Sequence, residues 1–346
     1  MPTYTDAIEG AILGTAVGDS IGLPREGLSR RRAMRMFGGA PLEHRLLPRH
    51  GMVSDDTDHT CMAAQSLVSS CGAPDHFAPD LAWRLRWWLL AIPAGIGLAT
   101  LRSIMKLWLG FPPSRSGVRS AGNGPAMRSA VIGVFARDNP ERLRQLVIAS
   151  TRITHTDPRA EQGAMVIASA AAYGSRVGSG GVGVVACFKQ ITPVVAADEL
   201  ARNLQLCHEH LDRGSSAEEF CTAIGQDRGV SGFINHTVPV AIFCWLRHRD
   251  DFRSAVLCGG DADTVGAIVG ALAGATLGSQ AIPASWLDGI VEYPWSVTRM
   301  RRLARCLSGG ISAGRVRVFW PGMLARNVVL ATAVILHALR RLLPPC

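Results

Sequence analysis

Apolar residues return every three or four positions along most of this chain. Short loops of glycine, proline and aspartate separate the runs. The pattern predicts helices over Ala7–Val17, Thr57–Ser69 and Asp80–Ala91, then over 99–109, 124–136, 140–151, 160–173, 197–211, 235–247, 251–257, 264–277 and 296–307. Runs of β-branched residues are confined to Val182–Phe188, which reads equally as helix, and Val316–Phe319. Segment 322–342 is apolar on nearly every side between its arginines, as expected of a helix docked on the body of the protein or lying at a membrane surface. No internal repeat and no low-complexity linker divides residues 1–290. The expected architecture is all-α, with one compact domain over residues 1–292 and a basic helical extension over 293–346.

Composition narrows the class. Of 346 residues, 48% are hydrophobic and 18% charged, which excludes a disordered or acidic-tail protein. Abundant Ala, Gly, Leu and Val with only 6% aromatics favours closely packed helices. The net charge of +9 is unevenly placed. No acidic residue follows Glu292, whereas nine arginines do, so residues 1–292 are neutral and the whole excess lies in the tail. A nucleic-acid backbone or an anionic membrane would be met there, and not over the whole surface. Nine cysteines form no Cys-x-x-Cys pair and lie mostly in apolar runs, which suggests a reducing compartment. The N-terminus lacks the basic region of a signal peptide. The apolar stretch Val328–Leu336 sits between Arg326 and Arg340, a gap of 13 residues, where about 20 are needed to span a bilayer. These features predict a cytoplasmic protein with no transmembrane segment.

Two acidic islands carry the candidate chemistry. Ser54-Asp55-Asp56-Thr57-Asp58 and Gly259-Gly260-Asp261-Ala262-Asp263-Thr264 each stand directly before an apolar helix. Capping by Ser54 or Asp56, and by Asp263 or Thr264, explains one oxygen per helix but not the crowd. Adjacent carboxylates repel unless a cation holds them, and hard oxygen donors suit Mg²⁺, Mn²⁺ or Ca²⁺. If the islands meet, a two-metal site follows. Other islands are weaker alone. They are Gly18-Asp19-Ser20, Glu26 on a Gly/Pro loop, the turn Gly122-Asn123-Gly124-Pro125-Ala126-Met127-Arg128, and Thr154-His155 at a helix end. Each reads as ordinary loop or cap chemistry as readily as a site.

Together, and in order, these motifs resemble the ADP-ribosylglycohydrolases, the family that includes dinitrogenase-reductase-activating glycohydrolase and the ADP-ribosylarginine and ADP-ribosylserine hydrolases. Gly10-Ala11-Ile12-Leu13-Gly14-Thr15-Ala16-Val17-Gly18-Asp19-Ser20-Ile21-Gly22 resembles its opening helix. Ser54-Asp55-Asp56-Thr57 resembles its first metal motif, Gly122–Arg128 its Gly-Asn-Gly-x-x-Met-Arg loop, Thr154-His155 its Thr-His, and Gly259–Thr264 its second metal motif. The resemblance spans residues 7 to about 288 and implies an all-α fold with two Mg²⁺ ions, or Mn²⁺ as substitute, at the base of an ADP-ribose cleft. By motif, Ser54, Asp55, Asp56, Asp261, Asp263 and Thr264 would be metal ligands. Ser120, Gly122, Asn123, Gly124 and His155 would bind phosphate and ribose, and Phe233 would stack on adenine. Glu26 matches an acidic loop residue at the metal site. The base is left open among Glu26, Asp55, Asp56 and Asp261. Asp19 and Asp58 are counted with the same acidic pocket.

Ser54 in place of the commoner Thr keeps a hydroxyl. Val118-Arg119-Ser120 and the arginine-rich stretch 27–50 depart from the family pattern near the cleft mouth, where the leaving group is selected. The resemblance implies hydrolysis of ADP-ribose from a modified acceptor on a protein, arginine first. Serine-linked, nucleic-acid-linked or small-molecule ADP-ribose and a non-catalytic ADP-ribose-binding scaffold are the alternatives. The basic tail is a candidate nucleic-acid contact.

Overall fold

The computed structural model describes residues 1–39, 41–178, 180–196, 198–248, 253–309 and 318–341. Its helices are α1 (Tyr4–Gly22), α2 (Arg30–Phe37), α3 (Asp55–Ser70), α4 (Pro74–Leu90), α5 (Leu98–Trp108), α6 (Pro113–Ser116), α7 (Gly124–Met127), α8 (Ser129–Phe135), α9 (Pro140–Arg152) and α10 (Pro158–Val177). They continue as α11 (Val184–Ile191), α12 (Glu199–Asp212), α13 (Ala217–Ala223), α14 (Ile234–Arg247), α15 (Arg253–Leu257), α16 (Ala262–Leu277), α17 (Ala284–Asp288), α18 (Val297–Gly309) and α19 (Trp320–Arg340). Among the described residues there is no strand, only isolated bridges, as the all-α reading expects.

The centre is a pair of antiparallel helices, α1 and α16. Both are apolar on all sides, and every residue of α1 from Ala7 to Gly22 is buried. Small residues let their backbones touch. A Cβ on Gly14 would stand 2.0 Å from the Gly270 carbonyl oxygen, and one on Gly18 would stand 1.9 Å from that of Gly266. The same contact recurs between Gly10 and Gly274 and ends at Gly22 against Ala262 and Asp263. The end of α1 is thereby fixed beside the start of α16. Helices α3, α8, α10, α14 and α18 pack around this pair.

Several elements differ from the sequence pattern. Val182–Phe188 is not a strand, because Val184–Ile191 is helix α11 with Cys187, Phe188 and Ile191 buried. The expected helix 124–136 breaks at Arg128, whose φ/ψ of −101°/4° separates α7 from α8. Helix α4 begins six residues early and carries Pro79 inside it. Helix α2 gave no apolar signal, since only Ala33 of its eight residues is buried. Of the expected helix 251–257, residues 253–257 are described. Val316 and Arg317 lie outside the described residues, and Val318 and Phe319 lead into α19 without pairing as a strand.

The tail is two docked helices. Helix α18 buries Met300, Leu303, Ala304 and Leu307 against α1 and α3. Helix α19 is 21 residues, long and apolar enough by length and composition to cross a membrane, and so exceeds the 13-residue gap read from the sequence. The gap was misleading because Arg326 does not bound the apolar run; it turns inward. Its guanidinium pairs with Glu292 at 2.6 Å and stands 3.6 Å from Asp58. The tail's arginines are thus partly spent inside the molecule: Arg301 meets Glu9 at 3.3 Å, and Arg341 bonds to backbone carbonyls. The eight described cysteines are free thiols, seven of them buried.

Candidate active site

The two acidic islands meet. Ser54 caps α3, its hydroxyl accepting the Asp56 N–H at 3.2 Å, so Asp55 and Asp56 are free of that task. Asp261 stands at the cap position of α16 but makes no cap bond; its carboxylate accepts from Asn123 Nδ2 instead. Gly259 and Gly260, both at φ +72°, thread this turn between two other segments. Gly260 N–H donates to Leu28 O and Asp261 N–H to Val230 O, both at 2.8 Å, and Gly27 N–H donates to Gly260 O at 2.8 Å. A Cβ on Gly260 would fall 2.1 Å from Val230 O, so glycine is required there. The loop bearing Glu26 is in this way sewn to the turn bearing Asp261.

Between these ends opens a cleft of about 330 Å³ lined by Glu26, Asp55, Asp261, Asp263 and Thr264, and also by Ser120, Gly122, Asn123, Gly124 and His155. Two larger cavities, about 630 Å³ against α9 and α10 and about 560 Å³ among tryptophans of α4, gather no such set of carboxylates. Ser54 and Asp56 are buried next to the cleft: Thr264 Oγ1 donates to Asp56 Oδ2 at 3.1 Å, and Ser54 Oγ at 3.3 Å. Buried Oδ1 atoms of Asp56 and Asp263 have no hydrogen-bond partner. Such orphaned carboxyl oxygens beside two hydroxyls form a donor set that suits a hard divalent cation. The carboxylates are gathered but not closed into a cage, and among the described residues no three His, Cys, Asp or Glu side chains stand as a ready metal group.

Electrostatics agree. Burial, then the charges of Asp19, Glu26 and Asp58, pushes the Asp55 carboxyl well above its ordinary value. Burial with Asp19 and Asp55 does the same to Asp56, and burial with Glu26 and Asp261 to Asp263. Glu26 is raised by burial and Asp261, with Arg341 opposing. Among the described residues none of these groups, nor Asp261, forms an ion pair.

His155 is held from behind. Arg128, fully buried, donates to Thr154 Oγ1 at 2.8 Å, and that hydroxyl lies 2.9 Å from His155 Nδ1. Burial and Arg128 bring the His155 pKa down to about 3, so the ring is neutral. Its far edge faces the glycine turn: a Cβ on Gly122 would sit 3.2 Å from Nε2. Asn123 is fixed by Gly232 O, which accepts its N–H at 3.1 Å, and by Thr237 Oγ1, 3.0 Å from Nδ2.

Three expectations shift. Asp58 does not join the cleft; it accepts from Trp88 Nε1 at 2.9 Å and faces Arg326. Asp19 is a brace, accepting Ser54 N–H, Thr57 N–H and Thr57 Oγ1–H (2.6 Å). Phe233 lies outside the cleft lining. Its ring packs edge-on to His236 at 5.0 Å and under the Arg159 guanidinium at 5.3 Å. Sequence reasoning missed the wall Gly95–Thr100 and Met127, which carry no charge pattern, and Gly232, whose only signal is its place beside Phe233.

Known proteins are similar to this chain over most of its length. The family model described as ADP-ribosylglycohydrolase matches residues 1–315. The ADP-ribosyl-[dinitrogen reductase] glycohydrolase of Rhodospirillum rubrum is 30% identical, over 83% of this chain and 91% of the relative. The ADP-ribosylarginine hydrolase Tri1 of Serratia proteamaculans is 27% identical, over 83% and 76%. A solved structure described as an ADP-ribosylglycohydrolase-related protein complex superposes with a TM-score of 0.65 at 30% identity, covering 89% of this chain and 99% of the other.

Proposed function

This chain belongs to the ADP-ribosylglycohydrolase family, and on that footing we propose that it is a divalent-cation-dependent hydrolase freeing ADP-ribose from arginine side chains of modified proteins. Membership itself makes it an enzyme that cleaves the glycosidic bond between ADP-ribose and an acceptor. One observation carries the finer reading: two helix starts bring Asp55, Asp261 and Asp263 to one cleft, with Asp56 buried beside it, orphaned oxygens on Asp56 and Asp263, and among the described residues no ion pair to any of the four. Ser54, Asp55, Asp56, Asp261, Asp263 and Thr264 would hold two Mg²⁺ ions, or Mn²⁺ in their place. When bound, the ions supply charge that orients ribose hydroxyls and lowers the pKa of a water.

The chain's own groups do the rest. The backbone of the Ser120–Gly124 turn and the neutral His155 ring receive the diphosphate and ribose without placing a further negative charge beside them. Asn123 takes one oxygen of Asp261, and Thr264 and Ser54 engage Asp56. That leaves Asp55 and Glu26, both half-buried in the cleft wall, as the proton acceptors for the attacking water. As the bond to the leaving group breaks, positive charge grows on ribose beside these carboxylates. The arginine linkage rests on the names of the relatives from Rhodospirillum and Serratia. Free buried thiols fit a reducing cytoplasmic setting.

The test is ADP-ribose release from arginine-, serine- and nucleic-acid-linked substrates side by side, with Mg²⁺ and with chelator. Fastest release from the arginine-linked substrate, lost in chelator, is expected. Preference for another linkage overturns the arginine assignment, and full activity in chelator overturns the cation.

A further inference from the structure

We infer that the outer face of α19 and its arginine-rich surroundings form a docking surface for an anionic lipid bilayer. The polarity of this helix is inverted. Its polar side chains point into the protein: Arg326 to Glu292, Asn327 Nδ2 to Ala91 O at 2.7 Å, and His337 Nε2 against Leu46 O at 2.8 Å. Its outward stripe is aliphatic, with Val328 59%, Ile335 58% and Leu336 60% exposed, alongside Val329 and Leu339. Thr332 alone interrupts the stripe, and its hydroxyl donates to Val328 O within the same helix at 2.8 Å, so it asks nothing of water. A helix facing bulk solvent shows the opposite pattern.

The surface extends beyond the helix in two chemically distinct directions. At the start of α19, Trp320 Nε1 donates to Trp87 O at 2.9 Å, and Trp87 stands 6.2 Å from Trp83 and 6.3 Å from Trp108, all three more than two-fifths exposed. Exposed indoles beside aliphatic surface are the composition of a membrane interface. At its far end, exposed Arg340 is joined by Arg31, Arg32 and Arg35 of α2, tied in through the bond from Arg32 to Arg341 O. Among the described residues none of these four arginines forms an ion pair. Helix α19 carries no carboxylate, so a second copy of this face offers nothing to answer them. A nucleic-acid backbone would leave the aliphatic stripe uncovered. An anionic bilayer satisfies both parts. Helix α19, which supplies the aliphatic stripe, lies beyond residue 315, where the family match stops, whereas α2 and Trp83, Trp87 and Trp108 lie within the matched region.

The experiment is co-sedimentation of the full chain with vesicles of phosphatidylcholine alone and of phosphatidylcholine with about 30% phosphatidylglycerol. Binding to the anionic vesicles at least tenfold tighter than to neutral ones is expected, with a blue shift of tryptophan emission and reversal at about 1 M salt. The triple change Val328→Ser, Ile335→Ser and Leu336→Ser touches only exposed positions. It should weaken vesicle binding at least tenfold while leaving helicity and hydrolysis of a soluble substrate unchanged. No binding to anionic vesicles overturns the inference. So does a concentration-dependent dimer abolished by the same triple change, or binding to duplex DNA that exceeds vesicle binding.

Discussion

Helix α3 holds two kinds of buried carboxylate less than one turn apart. Asp58 is matched by a cation of the chain itself: Arg326, brought by α19, pairs with Glu292 and reaches Asp58. Among the described residues Asp55, Asp261 and Asp263, which line the cleft, and Asp56, buried beside it, form no ion pair. Burial raises the carboxyl of Asp58 too, but Arg326 and Trp88 oppose it. The first group has its charge answered by folding, although Asp58 Oδ1 is also left without a hydrogen-bond partner. The second is left with charge to be satisfied by something that enters. That distinction separates a structural carboxylate from a working one better than burial, since Asp56 and Asp58 are both 1% exposed.

Breaking each group should give opposite phenotypes. The largest effect is expected from Asp55→Ala with Asp56→Ala: loss of turnover by about 10³-fold or more, with the circular-dichroism spectrum retained and the melting temperature not lowered. Unchanged ADP-ribose release would place the chemistry elsewhere. Next is Arg326→Met, which strands Glu292 and Asp58 without a cation and should cost about 3–5 kcal/mol in urea unfolding. Adding Glu292→Gln and Asp58→Asn should recover much of that loss, and failure to recover would show that the arginine acts by packing. Third, Mg²⁺ should raise the melting temperature, more at pH 8 than at pH 6. The cleft carboxyls have raised pKa values, so the folded chain keeps protons that the unfolded chain releases above about pH 4, and their contribution to stability falls as pH rises. A cation relieves that cost and competes with those protons. A Mg²⁺ effect that is equal at both pH values would contradict this. The smallest expected effect is from Arg341→Gln, which loosens the grip on Pro24 O and Glu26 O, both 2.9 Å away. It should lower kcat/KM by about fivefold with melting unchanged.

The acidic islands were legible because their chemistry is written in consecutive residues, and a helix start turns such a run into one cluster. Asp58 was misplaced for the same reason: nothing local distinguishes it from Asp55, and only the arrival of Arg326 from far along the chain does. The wall Gly95–Thr100 was silent because its lining, two glycines, Leu98, Ala99 and Thr100, carries no charge to mark it. Phe233 sits where the motif leads one to expect it in sequence, but Arg159 and His236 occupy its ring. Helix α2 escaped notice because a single buried alanine leaves no periodicity.

The glycine contacts between α1 and α16 also have a consequence for how the chain can vary. Because the two backbones interlock at four successive levels, the pair behaves as a gauge of fixed length. One residue inserted in either helix would rotate everything beyond it by about 100° and advance it about 1.5 Å, moving Asp261 relative to Glu26 and unseating every later level at once. Insertions and deletions are therefore admissible in the surface loops and forbidden inside this pair, and the spacing between its glycines is as much a part of the active site as the aspartates it positions.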